Sequence, residues 1–243
     1  HHTYEITTLR RDVETDGRRA VVSFTENWAE DARRRDFTMN ALYCDARGKI
    51  HDYANGYEDI LSNRITFVGN PAARIKEDYL RILRYFRFLS VFENMKADAA
   101  SLAACVRLKK GLLTLSAERI SQEMFKLLVG PKAVAILKQM AKHGVLKNII
   151  AHTDEFRTLA RLPGDPLLRA FVLAEKPHTL RDAWRLSNAQ ARRIEFLMDS
   201  PSLNPKLREN EQRRILYSVG EQAWRDGVAL NWARSRASLQ DSA

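Results

Sequence analysis

A carboxylate on a predicted strand is the first side chain whose chemistry stands out. Glu5 lies in residues 4–9, where apolar and β-branched residues alternate with polar ones as in a half-buried strand. A carboxylate that a strand holds rigidly is the kind of ligand that two-metal phosphoryl transfer requires. An exposed Glu on such a strand is the commoner occurrence, so the strand alone assigns Glu5 no function.

The run Arg-Arg-Asp-Phe-Thr-Met-Asn at 34–40 could bind phosphate and sugar groups. The guanidinium of Arg35 could fork onto phosphate oxygens. The carboxylate of Asp36 could accept a hydrogen bond from a ribose hydroxyl, and Asn40 could brace the loop. A solvated basic run at the end of a helix has the same composition, so composition alone does not separate the two interpretations.

A third charged group occupies residues 77–87, where helical spacing would put Asp78, Arg81 and Arg84 on one face, with Arg87 close to it. A surface ladder of ion pairs would explain this spacing. Base recognition is a sharper interpretation, because an Asp accepts from the exocyclic amino group of cytosine or adenine while an Arg donates to the ring acceptors beside it. Such a pair would admit C and A and would mismatch U and G.

The elements that must position these side chains change in type near Pro71. The predicted elements before it are strands at 4–9, 20–24, 42–43, 49–53 and 64–68, a polar turn or loop at 10–19 and a helical stretch at 28–35. After it, apolar residues recur at helical spacing to the end of the chain, and Ser116 is predicted to N-cap one of these helices. Strands grouped before helices predict an α+β fold rather than an alternating α/β fold.

Composition narrows the class of partner. The 243 residues carry a formal net charge of +10, which suits a polyanion such as a nucleic acid, although charge alone does not say which one. No apolar run approaches the roughly 18–20 residues that span a bilayer, and no signal peptide opens the chain. Cys44 and Cys105 lack the spacing of zinc ligands, so we expect reduced thiols in a cytoplasmic protein.

Five runs in order resemble the class II tRNA nucleotidyltransferases (the CCA-adding enzymes) and the related bacterial poly(A) polymerases. They are Tyr-Glu-Ile-Thr-Thr-Leu-Arg at 4–10, Arg-Arg-Asp-Phe-Thr-Met-Asn at 34–40, Asp-Tyr-Ala-Asn-Gly-Tyr-Glu-Asp at 52–59, Glu-Asp-Tyr-Leu-Arg-Ile-Leu-Arg at 77–84 and Glu-Arg-Ile-Ser-Gln-Glu at 118–123. The resemblance is specific to about Gly130 and loose beyond it. It implies a polymerase-β-like palm at 1–69, a helical neck with a nucleotide-template helix at 70–130 and a helical, tRNA-binding body at 131–243.

The resemblance also implies roles for individual residues. Glu5 matches a metal-binding carboxylate, and residues 52–59 match a hinge-like segment between head and neck. The polar loop after Arg10 corresponds to the flexible loop that accompanies the switch from C to A. The residues expected to bind the nucleotide are Arg35 and Asp36 (phosphates and ribose), Asn40 (the same loop), Asp78 and Arg81 (the base), and Arg84 and Arg87 (the triphosphate).

The activity that the resemblance implies is template-independent addition of CMP and AMP from CTP and ATP to the 3′ end of tRNA, with Mg²⁺ at a two-metal site. Poly(A) polymerases share the motifs, and enzymes that add only CC or only A are further alternatives. A rival of another class is a non-catalytic RNA-binding relative. The oligomeric state is left open.

One departure from the family bears on activity. The family places a Gly-Gly loop and an Asp-x-Asp strand before the strand that carries Glu5, and neither occurs in this sequence. We therefore expect the chain to begin inside the palm. With one metal-binding carboxylate of three, residues 1–243 alone are expected not to turn over. Metal-dependent nucleotide addition by these residues alone would contradict this expectation.

Overall fold

The computed structural model describes residues 7–16, 19–199 and 207–239, with the side chains of all of these except residues 11–22 and 236–239. The chain divides into two compact units, His1–Leu115 and Ser116–Ala243. Strands lie in the first unit and helices dominate the second, as the α+β prediction requires. The division into 1–69, 70–130 and 131–243 concerns functional parts and stays a prediction.

The described strands of the first unit form three two-stranded sheets. They are β1 (Arg10–Asp16) antiparallel to β2 (Arg19–Phe24), β3 (Leu42–Cys44) antiparallel to β4 (Ile50–Asp52), and β5 (Arg64–Ile65) parallel to β6 (Lys96–Ala97). The strands at 20–24, 42–43 and 49–53 are thereby confirmed, and β6 was not predicted. In the predicted strand at 64–68 only the first two residues form a ladder, and Phe67 makes an isolated bridge to Phe37.

The prediction of a loop at 10–19 is wrong for most of its length. Residues 10–16 form β1, which pairs with β2 from Arg10 opposite Phe24 to Asp16 opposite Arg19. The backbone hydrogen bonds of the hairpin outweigh the low strand propensity of so polar a stretch. Of the strand predicted at 4–9, residues 7–9 are not in a strand, and residues 4–6 lie outside the described residues.

Side-chain capping explains where three helices of the first unit begin. Asn27 accepts a hydrogen bond from the backbone of Ala29, Asn70 from Ala73 and Asp98 from Ser101, as N-cap side chains do. The helices are α1 (Trp28–Arg34), α2 (Gly56–Leu61), α3 (Pro71–Glu77), α4 (Leu80–Val91) and α5 (Ala99–Leu108), with 3-10 helices at Thr38–Asn40 and Lys109–Thr114. The helical stretch predicted at 28–35 is confirmed as α1.

The second unit is mainly helical in its described part. Its helices are α6 (Ala117–Leu128), α7 (Ala133–Lys142), α8 (Phe156–Arg161), α9 (Pro166–Leu173), α10 (Leu180–Ala183), α11 (Asn188–Asp199), α12 (Glu209–Val219) and α13 (Glu221–Leu239). Ser116 has the backbone conformation of an N-cap, as predicted, but its side chain makes no capping bond. Among the described residues, no helix has the length and hydropathy needed to cross a bilayer.

The segment from Asp36 to Thr38 is fixed by backbone pairing in the first unit. The amide of Thr38 donates to the carbonyl of Thr66, and the amide of Val68 donates to that of Asp36. The hydroxyl of Thr38 donates to buried Asp59 at 2.7 Å. The backbone next to the charged residues on either side of this segment is therefore held in place by hydrogen bonds.

Candidate nucleotide-binding site

Asp31, on α1, is the buried centre of a polar cluster. Its side chain is inaccessible to solvent, and its two carboxylate oxygens accept from the guanidiniums of Arg34 and Arg35. Arg35 approaches with Nε at 3.0 Å and Nη2 at 2.8 Å, and both groups donate to the same oxygen, Oδ2. The hydroxyl of Tyr43 donates to the same carboxylate at 2.6 Å, and the amide of Arg10 donates at 3.0 Å. Arg35 thus directs two N–H groups at one anionic oxygen, as it could at a phosphate oxygen.

The cluster keeps Asp31 ionised in spite of its burial. Burial alone would raise the pKa of this carboxyl, but the hydrogen bonds from Tyr43, Arg10, Arg34 and Arg35 outweigh burial and lower the pKa far below its ordinary value. The same contacts raise the pKa of Arg35 against the effect of its own burial. Because the folded pKa of Asp31 is depressed, its contribution to stability is complete above the unfolded pKa and is lost as the pH falls towards the folded value.

Tyr43 provides a spectroscopic test of this cluster. Burial, and then the contact with ionised Asp31, raises the pKa of Tyr43 from 10.0 to about 12. Folding favours the neutral form of Tyr43. The stability that this preference adds to the folded state is therefore present below pH 10 and is lost between pH 10 and about 12. In an alkaline titration followed by phenolate absorbance, we expect Tyr43 to ionise at a higher pH than the exposed tyrosines and at a lower pH than Tyr85, whose pKa burial raises further. Tyr43→Phe should remove that step, and an unchanged alkaline curve would contradict the contact.

Asp36 joins the loop after α1 to α4. One carboxylate oxygen accepts from the amide of Phe37 and from the side-chain amide of Asn40, both at 3.0 Å. The other accepts from Nε of Arg84 at 2.5 Å. Asn40 therefore braces the loop in the way the sequence suggested, and two residues expected to contact a nucleotide, Asp36 and Arg84, pair with each other.

The prediction of a continuous helix over residues 77–87 is wrong at Asp78. α3 ends at Glu77 and α4 begins at Leu80, and Asp78 between them has an extended backbone (φ −156°, ψ 108°). Its carboxylate accepts from the amide of Leu80 at 3.1 Å, and its carbonyl accepts from the amide of Arg81 at 3.1 Å. The short Asp side chain offers the backbone a local alternative to the helix, which ends α3 and starts α4.

Glu77 is a charged partner of Arg81 at this junction. The Glu77 carboxylate accepts from Nη1 of Arg74 at 2.7 Å and from Nη1 of Arg81 at 2.5 Å. Both guanidiniums also reach the C-terminal end of α1, where Arg74 donates to the carbonyl of Arg33 and Arg81 donates to that of Arg34 at 3.3 Å. Cations are favoured at this end of a helix because its last carbonyls lack partners.

Arg84 and Arg87 flank one aromatic ring on α4. The guanidinium carbon of Arg87 lies 4.3 Å from the ring centroid of Phe88, and that of Arg84 lies 5.6 Å from it. The edge of Phe88 in turn meets Phe37, with ring centroids 5.4 Å apart. Cation–π attraction to one packed ring therefore helps to orient both side chains.

The structure brings most of the predicted site residues together where the end of α1 meets the α3–α4 junction. Guanidiniums outnumber carboxylates there, so the cluster keeps a positive excess for an anion with several charges. The guanidiniums belong to Arg34, Arg35, Arg74, Arg81 and Arg84, and the carboxylates to Asp31, Asp36, Glu77 and Asp78. The sequence interpretation missed Asp31, Arg74 and Glu77 as members. The spacing of Asp31 to Arg34 and Arg35, three and four residues on, was the available signal.

The described residues do not supply a metal site. Within residues 7–16, 19–199 and 207–239, no three His, Cys, Asp or Glu side chains are placed to hold one ion. Glu5, the expected metal ligand, lies outside these residues. The carboxylates of Asp31, Asp36 and Glu77 accept from guanidiniums instead, which makes them supports for the arginines.

The family comparisons define the class of protein. Residues 1–66 match the Poly A polymerase head domain, and residues 94–156 match a family described as the probable RNA and SrmB-binding site of polymerase A. Together with the ordered motifs, these matches confirm the resemblance. The chain belongs to the class II nucleotidyltransferases, the family of the CCA-adding enzymes and the bacterial poly(A) polymerases.

Individual relatives are CCA-adding enzymes. The chain is 50% identical over 129 residues to the human mitochondrial CCA tRNA nucleotidyltransferase 1, covering 52% of this chain and 30% of the relative. It is 32% identical over 236 residues to the CCA-adding enzyme of Enterococcus faecalis, covering 90% and 57%. Its fold matches the Bacillus stearothermophilus CCA-adding enzyme in complex with CTP with a TM-score of 0.77 at 28% identity, covering 93% and 58%. The chain thus spans less than two thirds of each of these relatives.

Proposed function

We propose that the complete protein adds CMP and AMP from CTP and ATP to the 3′ end of tRNA without a nucleic-acid template. The observation that carries the proposal is the junction at which Arg35, Asp36, Asp78, Arg81 and Arg84 meet. The similarity to CCA-adding enzymes, one of them described with bound CTP, supports the same function. Arg87 belongs to this set by its place on α4.

The cluster would bind a nucleoside triphosphate by exchange of partners. Arg84 and Arg35 are held by carboxylates at hydrogen-bond distance, and a triphosphate offers the same acceptor geometry with more charge. Once Arg84 turns to a phosphate, Asp36 is released to accept from a ribose hydroxyl. Asp78 and Arg81, at the start of α4, would read the base edge. Catalysis would then rest on positioning and charge neutralisation.

The metal, the partners and the compartment are parts of the same proposal. Two Mg²⁺ ions held in part by Glu5 would supply charge stabilisation in the complete protein, as the family resemblance implies. The partners would be tRNA and nucleoside triphosphates, with the cytoplasm as the compartment. The relatives of known compartment are mitochondrial in name, so an organellar site is the alternative.

The test is nucleotide addition by the full-length gene product. Transfer RNA lacking its 3′ CCA is incubated with Mg²⁺ and with CTP, ATP or both, and products are resolved at single-nucleotide resolution. Growth by C, C and A that then stops is the expected result. A run of A would indicate a poly(A) polymerase, and addition of only CC or only A would indicate a partial enzyme. Bound tRNA that never grows would indicate a non-catalytic RNA-binding relative.

A further inference from the structure

We infer that Gly111 is a positioning residue for nucleotide selection, because the ring of Tyr79 packs directly on its backbone and sets the start of α4. The inference rests on the proposed function and adds to it a residue about thirty positions beyond the base-reading pair, on the 3-10 helix Lys109–Thr114. Gly111 needs no contact with substrate for this role. It acts through Tyr79 and the neighbouring Asp78.

The contact between Gly111 and Tyr79 leaves no room for a side chain. A Cβ built on Gly111 would lie 2.0 Å from Cδ1, 2.1 Å from Cε1 and 2.4 Å from Cγ of Tyr79. Real Cβ contacts essentially never fall below 3.0 Å. Because Cγ is among the three atoms, a turn of the ring about its own axis does not relieve the overlap. Only a movement of the whole Tyr79 side chain, or of the backbone on one side, would.

The Gly111 side of this contact is anchored. Leu112, the next residue, is fully buried, and the hydroxyl of Thr114 donates to the carbonyl of Gly111 at 2.8 Å. The backbone beside buried Leu112 cannot shift by an ångström without disturbing the packing of that side chain. The strain of an added methyl group therefore falls mainly on Tyr79.

Tyr79 lies in the chain between Asp78 and Arg81, the two residues proposed to read the base. The carbonyl of Tyr79 accepts from the amide of Ile82 at 3.1 Å, so Tyr79 opens the first turn of α4. Asp78 precedes it in the chain, and Arg81 closes that turn through the carbonyl of Asp78. A shift of the Tyr79 backbone would therefore move Asp78 and Arg81 relative to each other. A misplacement of about 1 Å at a reactive geometry costs up to roughly a hundredfold.

We expect Gly111→Ala to lower the selectivity for CTP over UTP, taken as the ratio of kcat/KM values, by roughly tenfold or more. This ratio does not depend on how much of the enzyme is folded, so a merely destabilised protein would leave it unchanged. The assay uses the full-length gene product, tRNA lacking its 3′ end and single nucleotides. Isothermal titration of CTP and UTP against the same variants measures the selectivity of binding without turnover.

Gly164→Ala is the matched control, because a Cβ there meets nothing within 4 Å. Tyr79→Phe keeps the ring and should keep the selectivity, whereas Tyr79→Ala removes the anchor and should lower it. In the Tyr79→Ala background, adding Gly111→Ala should cost nothing further, since the ring it would strike is gone. If Gly111→Ala does not fold, Tyr79→Ala and Tyr79→Phe carry the test.

The outcomes separate the inference from the function on which it rests. An unmodified protein that adds no C or A overturns the proposed function, and the inference falls with it. An active protein in which Gly111→Ala is as selective as Gly164→Ala overturns the inference alone. Selectivity retained by Tyr79→Ala, or lost by Tyr79→Phe, overturns it as well, because packing of the ring would then not set the base-reading residues.

Discussion

Replacing Asp31 by alanine is expected to destabilise the first unit by about 2–4 kcal/mol. The carboxylate is fully buried and is the shared acceptor of Arg34, Arg35, Tyr43 and the amide of Arg10. Removing one partner of a buried charged network leaves the others without their acceptor, which costs about 3–5 kcal/mol in fully buried pairs. The expected loss is smaller here because the Arg34 and Arg35 side chains are 20% and 36% exposed and can turn to water.

Denaturant unfolding of the wild-type and variant proteins measures this effect. Asp31→Asn keeps the shape and loses the charge, so it should recover only part of the stability. Glu26→Ala, an exposed carboxylate five residues earlier, is the matched control and should change the free energy of unfolding by less than about 0.5 kcal/mol. A loss in Asp31→Ala no larger than that of Glu26→Ala would contradict the central place of Asp31.

The same variant connects stability to nucleotide binding. With Asp31 gone, Arg35 keeps its charge and loses the carboxylate oxygen that orients it. The affinity of the folded protein for a triphosphate should therefore fall, and the loss of stability does not explain this fall. An Arg that is held in its binding geometry before the ligand arrives loses less side-chain entropy on binding than a free one.

The α+β class and most of the candidate site could be predicted because both depend on local patterns. Helical spacing of apolar residues gave the buried faces of α4 and α6, where Ile82, Leu83, Met124 and Leu127 are all inaccessible. The turn between β3 and β4 follows from a short polar run between two strands. The Arg35–Asp36 run and the Asp78–Arg81 pair carry their chemistry in neighbouring residues, so that their recognition requires no tertiary information.

The parts that failed depend on contacts between distant residues. β1 is a polar stretch without clear alternation, and its pairing with β2 is not encoded in its own composition. β6 is two residues long and pairs in parallel with β5, some thirty residues before it. The pairing of Asp36 with Arg84 spans 48 positions, and no periodic pattern links them. Long-range pairs of this kind follow from the packed fold and not from the local sequence.

The break at Asp78 changes how Asp78 and Arg81, the residues proposed to read the base, are arranged before a nucleotide binds. On one continuous helix, Asp78 and Arg81 would be neighbours on one face, three residues apart. With the break, the carboxylate of Asp78 accepts from the backbone at the start of α4, and the guanidinium of Arg81 donates to Glu77. A nucleotide would thus meet an acceptor, Asp78, that the backbone of α4 orients, and a donor, Arg81, that Glu77 orients.

Replacing Asp78 by alanine is therefore expected to have two separable effects. Loss of the acceptor at the start of α4 should cost about 0.5–2 kcal/mol of stability, as the loss of an N-cap does. Loss of the acceptor for the exocyclic amino group should lower the selectivity for CTP and ATP over UTP and GTP by about tenfold to a hundredfold, which corresponds to about 1–3 kcal/mol of discrimination. Affinity for CTP and ATP should also fall, because the base donor that Asp78 would accept from is buried without a partner.

Asp98→Ala separates the two effects, because Asp98 caps α5 in the same unit by accepting from Ser101 at 2.8 Å. It should show a similar loss of stability and unchanged selectivity, measured as kcat/KM ratios for the four nucleotides with the full-length gene product. Asp78→Ser offers a second separation, since Ser retains a capping oxygen but is too short to reach a base. It should restore stability and not selectivity. Undiminished discrimination against UTP and GTP in Asp78→Ala would assign base reading to other residues and leave Asp78 as a helix cap.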